Sequence, residues 1–247
     1  MRIWTISLFF FLLALPALAC SVPDIPFSLA PASPTPELAP TPKGDTLSFI
    51  MPAHTVTLRP GDSVPGTRLT YVGRSDSDDS HEVTIDGETA FRRLGDSFYW
   101  SGVIAPGVYG NYNLRVTTSL FGGLPVAGPV ELVILYPEPI ELANAENLDA
   151  RLHYSNIVMD YRVPVGREIP GTTLTFEGME TPGVGSQAGE LARLSGRDGY
   201  PNIAVGDSLV WTGKLRENVV ARYNLRALSL DESNIRLVGT GELWITN

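Results

Sequence analysis

One stretch of this chain occurs twice. It runs Gly95-Asp96-Ser97-Phe98-Tyr99-Trp100-Ser101-Gly102 and returns 111 residues later as Gly206-Asp207-Ser208-Leu209-Val210-Trp211-Thr212-Gly213. At the same shift, Val108 and Tyr112-Asn113-Leu114-Arg115 return as Val219 and Tyr223-Asn224-Leu225-Arg226. Gly128, Glu131, Leu132 and Ile134 return as Gly239, Glu242, Leu243 and Ile245. Upstream the shift is 105: Pro65-Gly66-Thr67, Leu69, Thr70 and Gly73 match Pro170-Gly171-Thr172, Leu174, Thr175 and Gly178. The second copy therefore carries six extra residues between Gly178 and Gly206. Self-similarity at a fixed period means one structural unit built twice.

The unit reads as strands. Thr55–Leu58, Arg68–Val72, Phe98–Trp100, Tyr109–Thr117 and Val130–Leu135 are short, rich in β-branched or aromatic residues, and bounded by Gly, Pro, Asp or Asn. Alternation puts Tyr112, Leu114 and Val116 on one face and Asn113 and Arg115 on the other. The second copy agrees, with Ala221, Tyr223, Leu225 and Ala227 against Arg222, Asn224 and Arg226. No convincing helical stripe appears; Asn144–Leu152 is the one weak candidate. A chain of 247 residues accommodates two copies of this size, each large enough to bury a core of its own.

Residues 1–19 read as a signal peptide. Arg2 supplies a positive start, Ile3–Leu15 is almost wholly apolar, and Ala17-Leu18-Ala19 places small residues where a signal peptidase cuts. The apolar run is shorter than the ~20 residues of a membrane span. Cys20, the only cysteine, follows directly and excludes an intrachain disulfide. Residues 20–44 hold Pro23, Pro26, Pro31, Pro34, Pro36, Pro40 and Pro42 among Ala, Ser and Thr. Such a segment has too few large apolar residues to fold. At ~3.1 Å per residue, a polyproline-like spacer of this length would reach on the order of 70 Å. The copies then occupy 45–139 and 140–247, with Leu135-Tyr136-Pro137-Glu138-Pro139 closing the first. About Ile140–Asn156 joins them and supplies the first strand of the second copy.

Two resemblances follow from these residues. Ala17-Leu18-Ala19-Cys20 resembles the cleavage site of a bacterial lipoprotein, with Ala17 and Leu18 interchanged from the usual order. It implies diacylglycerol on the Cys20 thiol and membrane anchorage on the outer face of the envelope; several acyl chains on one residue would anchor stably. Plain cleavage and secretion with a free thiol is the other reading. Leu69-Thr70-Tyr71-Val72-Gly73, then Trp100-Ser101-Gly102-Val103-Ile104-Ala105-Pro106-Gly107, then Tyr112–Val116 resembles the Ig-like repeat of bacterial surface proteins. The second copy keeps Leu174-Thr175-Phe176 and Trp211-Thr212-Gly213 but has Leu215-Arg216-Glu217-Asn218 where Ala-Pro-Gly would fall. This resemblance implies an all-β fold of two tandem Ig-like β-sandwich domains after a signal peptide and Pro-rich tether. It also implies a spacer or adhesive role, and it carries no catalytic residue to transfer.

Charge narrows the partners. The net charge is −9, from 18 basic and 27 acidic residues, with no basic cluster. Nucleic acid is therefore not an expected partner, because phosphate binding needs concentrated Lys and Arg. The expected partners are the membrane, through lipid on Cys20, and an envelope protein or polysaccharide.

Chemistry-bearing motifs are few. Gly206-Asp207-Ser208-Leu209 spells the nucleophile motif of the GDSL esterases, with Ser208 in the serine's place. That chemistry needs a histidine base and an orienting acid, and Asp78-Asp79-Ser80-His81 offers an Asp-x-x-His. Yet Gly-Asp-Ser recurs at Gly61, Gly95 and Gly206, which points to a repeated turn. Asp76, Asp78 and Asp79 form the densest acidic run, where calcium is weighed against a solvated hairpin loop. His54, His81 and His153 share no ligand spacing. Trp100 and Trp211, with Tyr112, Tyr223, Leu114 and Leu225, are the expected repeated core; a sugar-stacking platform at the tryptophans is the alternative. Tyr99, Tyr109, Phe121, Tyr200 and Trp244 differ between copies and are candidates for a surface patch. Arg115/Arg226 and Asp96/Asp207 read as ion pairs or turn bonds. Recognition, if loops carry it, is expected at 75–82 and at 179–203, where the six-residue insertion falls. The expectation is a non-catalytic display module, with partner binding by these loops second and an esterase at Ser208 a remote third.

Overall fold

The computed structural model describes residues 45–76, 78–118, 123–143, 150–180, 190–196 and 201–246. Cys20, the signal peptide, the Pro-rich tether, Phe121, Tyr200 and most of the 179–203 insertion lie outside them. The chain divides at Glu37, and every described residue belongs to the second unit, Leu38–Asn247. That unit is all-β, and no helix occurs among its described residues.

The first copy contains β1 (Thr46–Leu58), β2 (Leu69–Arg74), β3 (His81–Ile85), β4 (Glu88–Arg92), β5 (Ser97–Ala105), β6 (Val108–Val116) and β7 (Leu124–Leu135). A short strand, β8 (Ile140–Glu141), lies between the copies. The second contains β9 (Leu152–Pro164), β10 (Arg167–Glu168), β11 (Thr175–Glu180), β12 (Leu191–Ser195), β13 (Asn202–Ile203), β14 (Ser208–Arg216), β15 (Val219–Leu230) and β16 (Asn234–Ile245). The strands alternate as their sequences demand. In β6, Tyr112, Leu114 and Val116 are buried and Asn113 and Arg115 are exposed; β15 does the same with Tyr223, Leu225 and Ala227.

Turn chemistry sets the strand entries. Gly61, Gly95 and Gly206 have φ of 91°, 86° and 92°, a region open to glycine at no steric cost. In each case the following aspartate accepts a backbone N–H three residues back, at 2.8 Å: Asp62 from Arg59, Asp96 from Arg93, Asp207 from Ala204. Gly-Asp-Ser is thus one turn used three times. The β3–β4 hairpin turns through Asp86-Gly87, both at positive φ, the pairing that matches the strands' right-handed twist.

The two copies share one sheet. Its order is β5-β6-β7-β1-β9-β16-β15-β14-β8, nine strands paired antiparallel throughout. Outward from the centre, β1-β7-β6-β5 on one side mirrors β9-β16-β15-β14 on the other. Such an order is that of a twofold, isologous junction, here within one chain. The centre is the pairing of Ile50 with Val158. Two smaller sheets, β2-β3-β4 and β10-β11-β12-β13, contribute Leu69, Tyr71 and Val83, and Phe176, Ala192 and Leu194, to the same buried cluster.

Separate cores are what two copies of this length lead one to expect; the buried residues instead form one cluster spanning both. The exchange is reciprocal. Tyr154, in the second copy, lies beside His54 and hydrogen-bonds Tyr112 in the first. Phe49, its counterpart at a shift of 105, meets Tyr223 of the second copy edge-on, with centroids 6.2 Å apart. Leu152 presses on Gly66 and Leu47 presses on Gly171; a Cβ at those glycines would lie 2.9 and 2.5 Å from the two leucines. The departure at Leu215–Asn218 has a use at this junction. Arg216 donates to the carbonyl of Leu135, and Asn218 Nδ2 donates to that of Pro106 at 3.1 Å.

Candidate functional site

The repeated Trp-x-Gly explains itself in packing terms. Trp100 and Trp211 are 3% and 1% exposed, so both are core residues, and neither is an open stacking platform. In a strand, residues i and i+2 share a face. Each indole folds over the next residue on its own face, and a Cβ on Gly102 or Gly213 would lie 2.8 or 2.4 Å from it. Tyr112 and Tyr223 pack against the indoles with centroids 5.7 and 5.4 Å apart. Leu114 and Leu225 are buried beside them.

Around these equal centres the copies differ. Trp211 Nε1 donates to Thr173 Oγ1 at 3.2 Å. Trp100 Nε1 donates instead to Asp86 Oδ1 at 3.1 Å, and the same oxygen pairs with Arg68 Nε at 2.8 Å. Arg68 stands where the second copy has Thr173. Arg151, at the start of the second copy, donates from Nη2 to the carbonyl of Ile104 at 2.6 Å. Together Gly66, Arg68, Trp100, Gly102, Val103 and Arg151 line an open cleft of about 700 Å³ where the first copy meets the second. Two guanidinium groups on its walls set it apart on a chain of net charge −9.

The strand edges differ as well. β14 is covered by β8, where Ile140 stands opposite Lys214 and Glu141 opposite Gly213. Leu142 N–H donates to the Thr212 carbonyl at 2.9 Å and Glu138 N–H to that of Leu215 at 2.8 Å. β5, the counterpart of β14, has no strand on its outer side among the described residues. An edge of this kind presents unpaired N–H and C=O groups. Trp100, Gly102, Val103 and Ile104 of this edge strand line the cleft.

No family model, no curated protein and no solved structure matches this chain.

The remaining candidates are spoken for locally. Asp78 accepts from the Ser80 hydroxyl and N–H and from Arg93 Nη2 at 2.7 Å, contacts that hold its carboxyl well below the usual range. Asp79 pairs with Arg74 at 2.5 Å. Asp76 joins neither pair, and no group of three acidic, histidine or cysteine side chains able to hold a metal forms among the described residues. His81 Nδ1 faces the Tyr71 hydroxyl at 3.1 Å, and burial followed by Arg74 lowers its pKa. His153 stacks on Trp244, with centroids 4.9 Å apart, and meets Glu242 at 3.0 Å. His54 lies between Tyr112 and Tyr154, where burial lowers its pKa. Ser208 is exposed at the start of β14, opposite Arg226, and its aspartate neighbour is spent on the turn. Asp96 and Asp207 serve turns, and among the described residues neither pairs with Arg115 or Arg226.

Neither strand pattern nor loop position in the sequence marks Arg68, Asp86, Arg151 or β8 as part of a site. One signal was available: Asp86-Gly87 between two alternating runs is a hairpin marker, and it fixes the acceptor for Trp100. Arg151 carries no such signal, because its place in the cleft depends on the docking of the second copy.

Proposed function

We propose that this chain is a non-catalytic display module, held to the outer face of a cell envelope by lipid on Cys20 and spaced from it by the Pro-rich segment. The observation that carries the reading is the shared sheet and shared core. Nine strands pass through both copies without a break, and Phe49 and Tyr154 are exchanged across the junction. A spacer needs that continuity, since domains that meet through small polar interfaces move relative to one another. The N-terminal order of apolar run, lone cysteine and proline-rich stretch supports the anchor. The Ig-like resemblance supports a surface role of the same kind. Fractionation of cells making the wild type and Cys20→Ala tests it. The wild type should sediment with membranes and be released by detergent, and Cys20→Ala should be soluble; identical behaviour of the two rejects the anchor.

A further inference from the structure

We propose that the outer edge of β5, with the cleft beneath it, is an acceptor site for an extended acidic peptide strand supplied by a partner protein. The inference stands apart from the membrane anchor and holds whether or not Cys20 is acylated.

The second copy displays the arrangement. There β8 lies antiparallel on β14, over the glycine that follows the buried tryptophan. Gly213 permits this: the carbonyl oxygen of Ile140 comes within 2.5 Å of where a Cβ would stand. Gly102 is the matching residue on β5, and the three atoms nearest its absent Cβ all belong to Trp100. The first copy thus keeps the floor of the groove, and among the described residues no strand fills it. Adding a strand to an open sheet edge is a general mode of peptide recognition, in which main-chain hydrogen bonds give affinity and side-chain pockets give specificity.

Two differences between the copies define the occupant. Glu141 of β8 brings its carboxylate to Thr173 Oγ1, at 3.5 Å. On the first copy Arg68 holds the place of Thr173, its side chain 77% exposed and paired with Asp86. A glutamate at the same strand position would meet a guanidinium there, in a cleft that Arg151 also lines while its Nη2 donates to the Ile104 carbonyl. Arg–carboxylate geometry favours such a pair. The second difference is at the edge itself. Lys214 faces Ile140 on β14; lysine is a common guard of strand edges. Its counterpart Val103 is apolar and 56% exposed, a partner for a branched side chain across the ladder. The preferred occupant is therefore an apolar residue followed by glutamate in extended conformation.

The test uses the full chain and a labelled synthetic peptide, Pro-Glu-Pro-Ile-Glu-Leu-Ala, copied from residues 137–143. Fluorescence anisotropy should show saturable binding. Lysine in place of the second glutamate of the peptide, or Arg68→Glu in the protein, should weaken it about tenfold or more, and the two reversals together should restore it. Arg68 is exposed, so its variant should fold, with a thermal melt as control. Absence of saturable binding, or binding indifferent to reversal at Arg68, overturns the proposal. The chain carries Glu-Leu-Ala at two further places, 37–39 and 190–192; in the latter Leu191 and Ala192 already lie in β12, paired with β11. A variant with Glu37→Ser and Leu38→Ser should bind the peptide as the wild type does. Binding seen only in that variant would overturn a partner protein as the source of the strand.

Discussion

The hydroxyls of Tyr112 and Tyr154 lie 2.6 Å apart and join the two copies inside their common core. Tyr112 also donates to the Pro65 carbonyl at 3.2 Å, which uses its one proton. Tyr154 must then donate to Tyr112. Removing either hydroxyl has unequal consequences. Tyr154→Phe deletes a donor and leaves Tyr112 bonded to Pro65, a loss of about 1 kcal/mol. Tyr112→Phe strands the buried Tyr154 hydroxyl and should cost more, about 1–3 kcal/mol. Urea unfolding of the two variants checks the order.

The matching tyrosine of the second copy should respond with the opposite sign. Phe49 stands where Tyr154 does and has no hydroxyl to give. Among the described residues the Tyr223 hydroxyl makes no hydrogen bond of normal geometry, although the Tyr161 hydroxyl is near enough to perturb its ionisation. Burial drives the pKa of both upward, Tyr161 to about 12. A stranded buried hydroxyl costs about 1–3 kcal/mol, so Tyr223→Phe should leave stability unchanged or raise it by about 1 kcal/mol. A loss equal to that of Tyr112→Phe would contradict this account.

Acid should loosen the same junction. Burial lowers the pKa of His54 from its ordinary 6.5, so the folded chain favours the neutral ring. The unfolded chain then binds more protons as pH falls through 6.5, and the stability present above that pH declines below it. His81 shifts in the same direction, from burial first and Arg74 second. The lowered carboxyls of Asp160 and Asp231 act in a more acid window, below their ordinary 3.8. Between pH 7.5 and 5 the midpoint of urea unfolding should therefore fall, and His54→Gln should flatten that slope.

The glycines at 128 and 239 allow a sharper mutational test. A Cβ on either would come 2.1 Å from a backbone carbonyl, that of Asn113 or Asn224, which has no rotamer to escape by. Overpacking against a fixed strand costs typically 1–3 kcal/mol. Gly128→Ala and Gly239→Ala should both lower the thermal midpoint, by similar amounts. Gly73→Ala, with nothing within 4 Å, serves as the control.

What the sequence revealed and what it concealed divide along physical lines. Tyr112, Leu114 and Val116 announced a buried face because strand alternation is local, and Gly-Asp-Ser announced a turn because its bonds span three residues. The joining of the copies was not legible. It rests on Phe49 and Tyr154, which in sequence are ordinary strand aromatics, and on Arg216 and Asn218, which looked like a lapse from the motif. The cleft was hidden for the same reason: Arg68 and Arg151 are 83 positions apart, and only the shared sheet brings them together. Repetition shows that a unit is used twice, whereas the surface through which two units meet is written in the residues that differ.

Because the core is shared, the copies should not unfold separately. Phe49 belongs to the first copy by chain position but packs on Tyr223 of the second, so Phe49→Ala opens a cavity in the half it does not belong to. Truncating a buried phenylalanine costs about 3–5 kcal/mol. Independent domains would answer with two transitions, one shifted and one unmoved. A common core answers with one transition, displaced as a whole and seen equally by probes in both halves. Trp100 and Trp211 supply those probes: with the other tryptophans replaced by Phe, single-tryptophan versions of Phe49→Ala should report the same urea midpoint from either site. Separated midpoints would mean that each copy holds its own fold and that the exchange of Phe49 and Tyr154 contributes little to joining them.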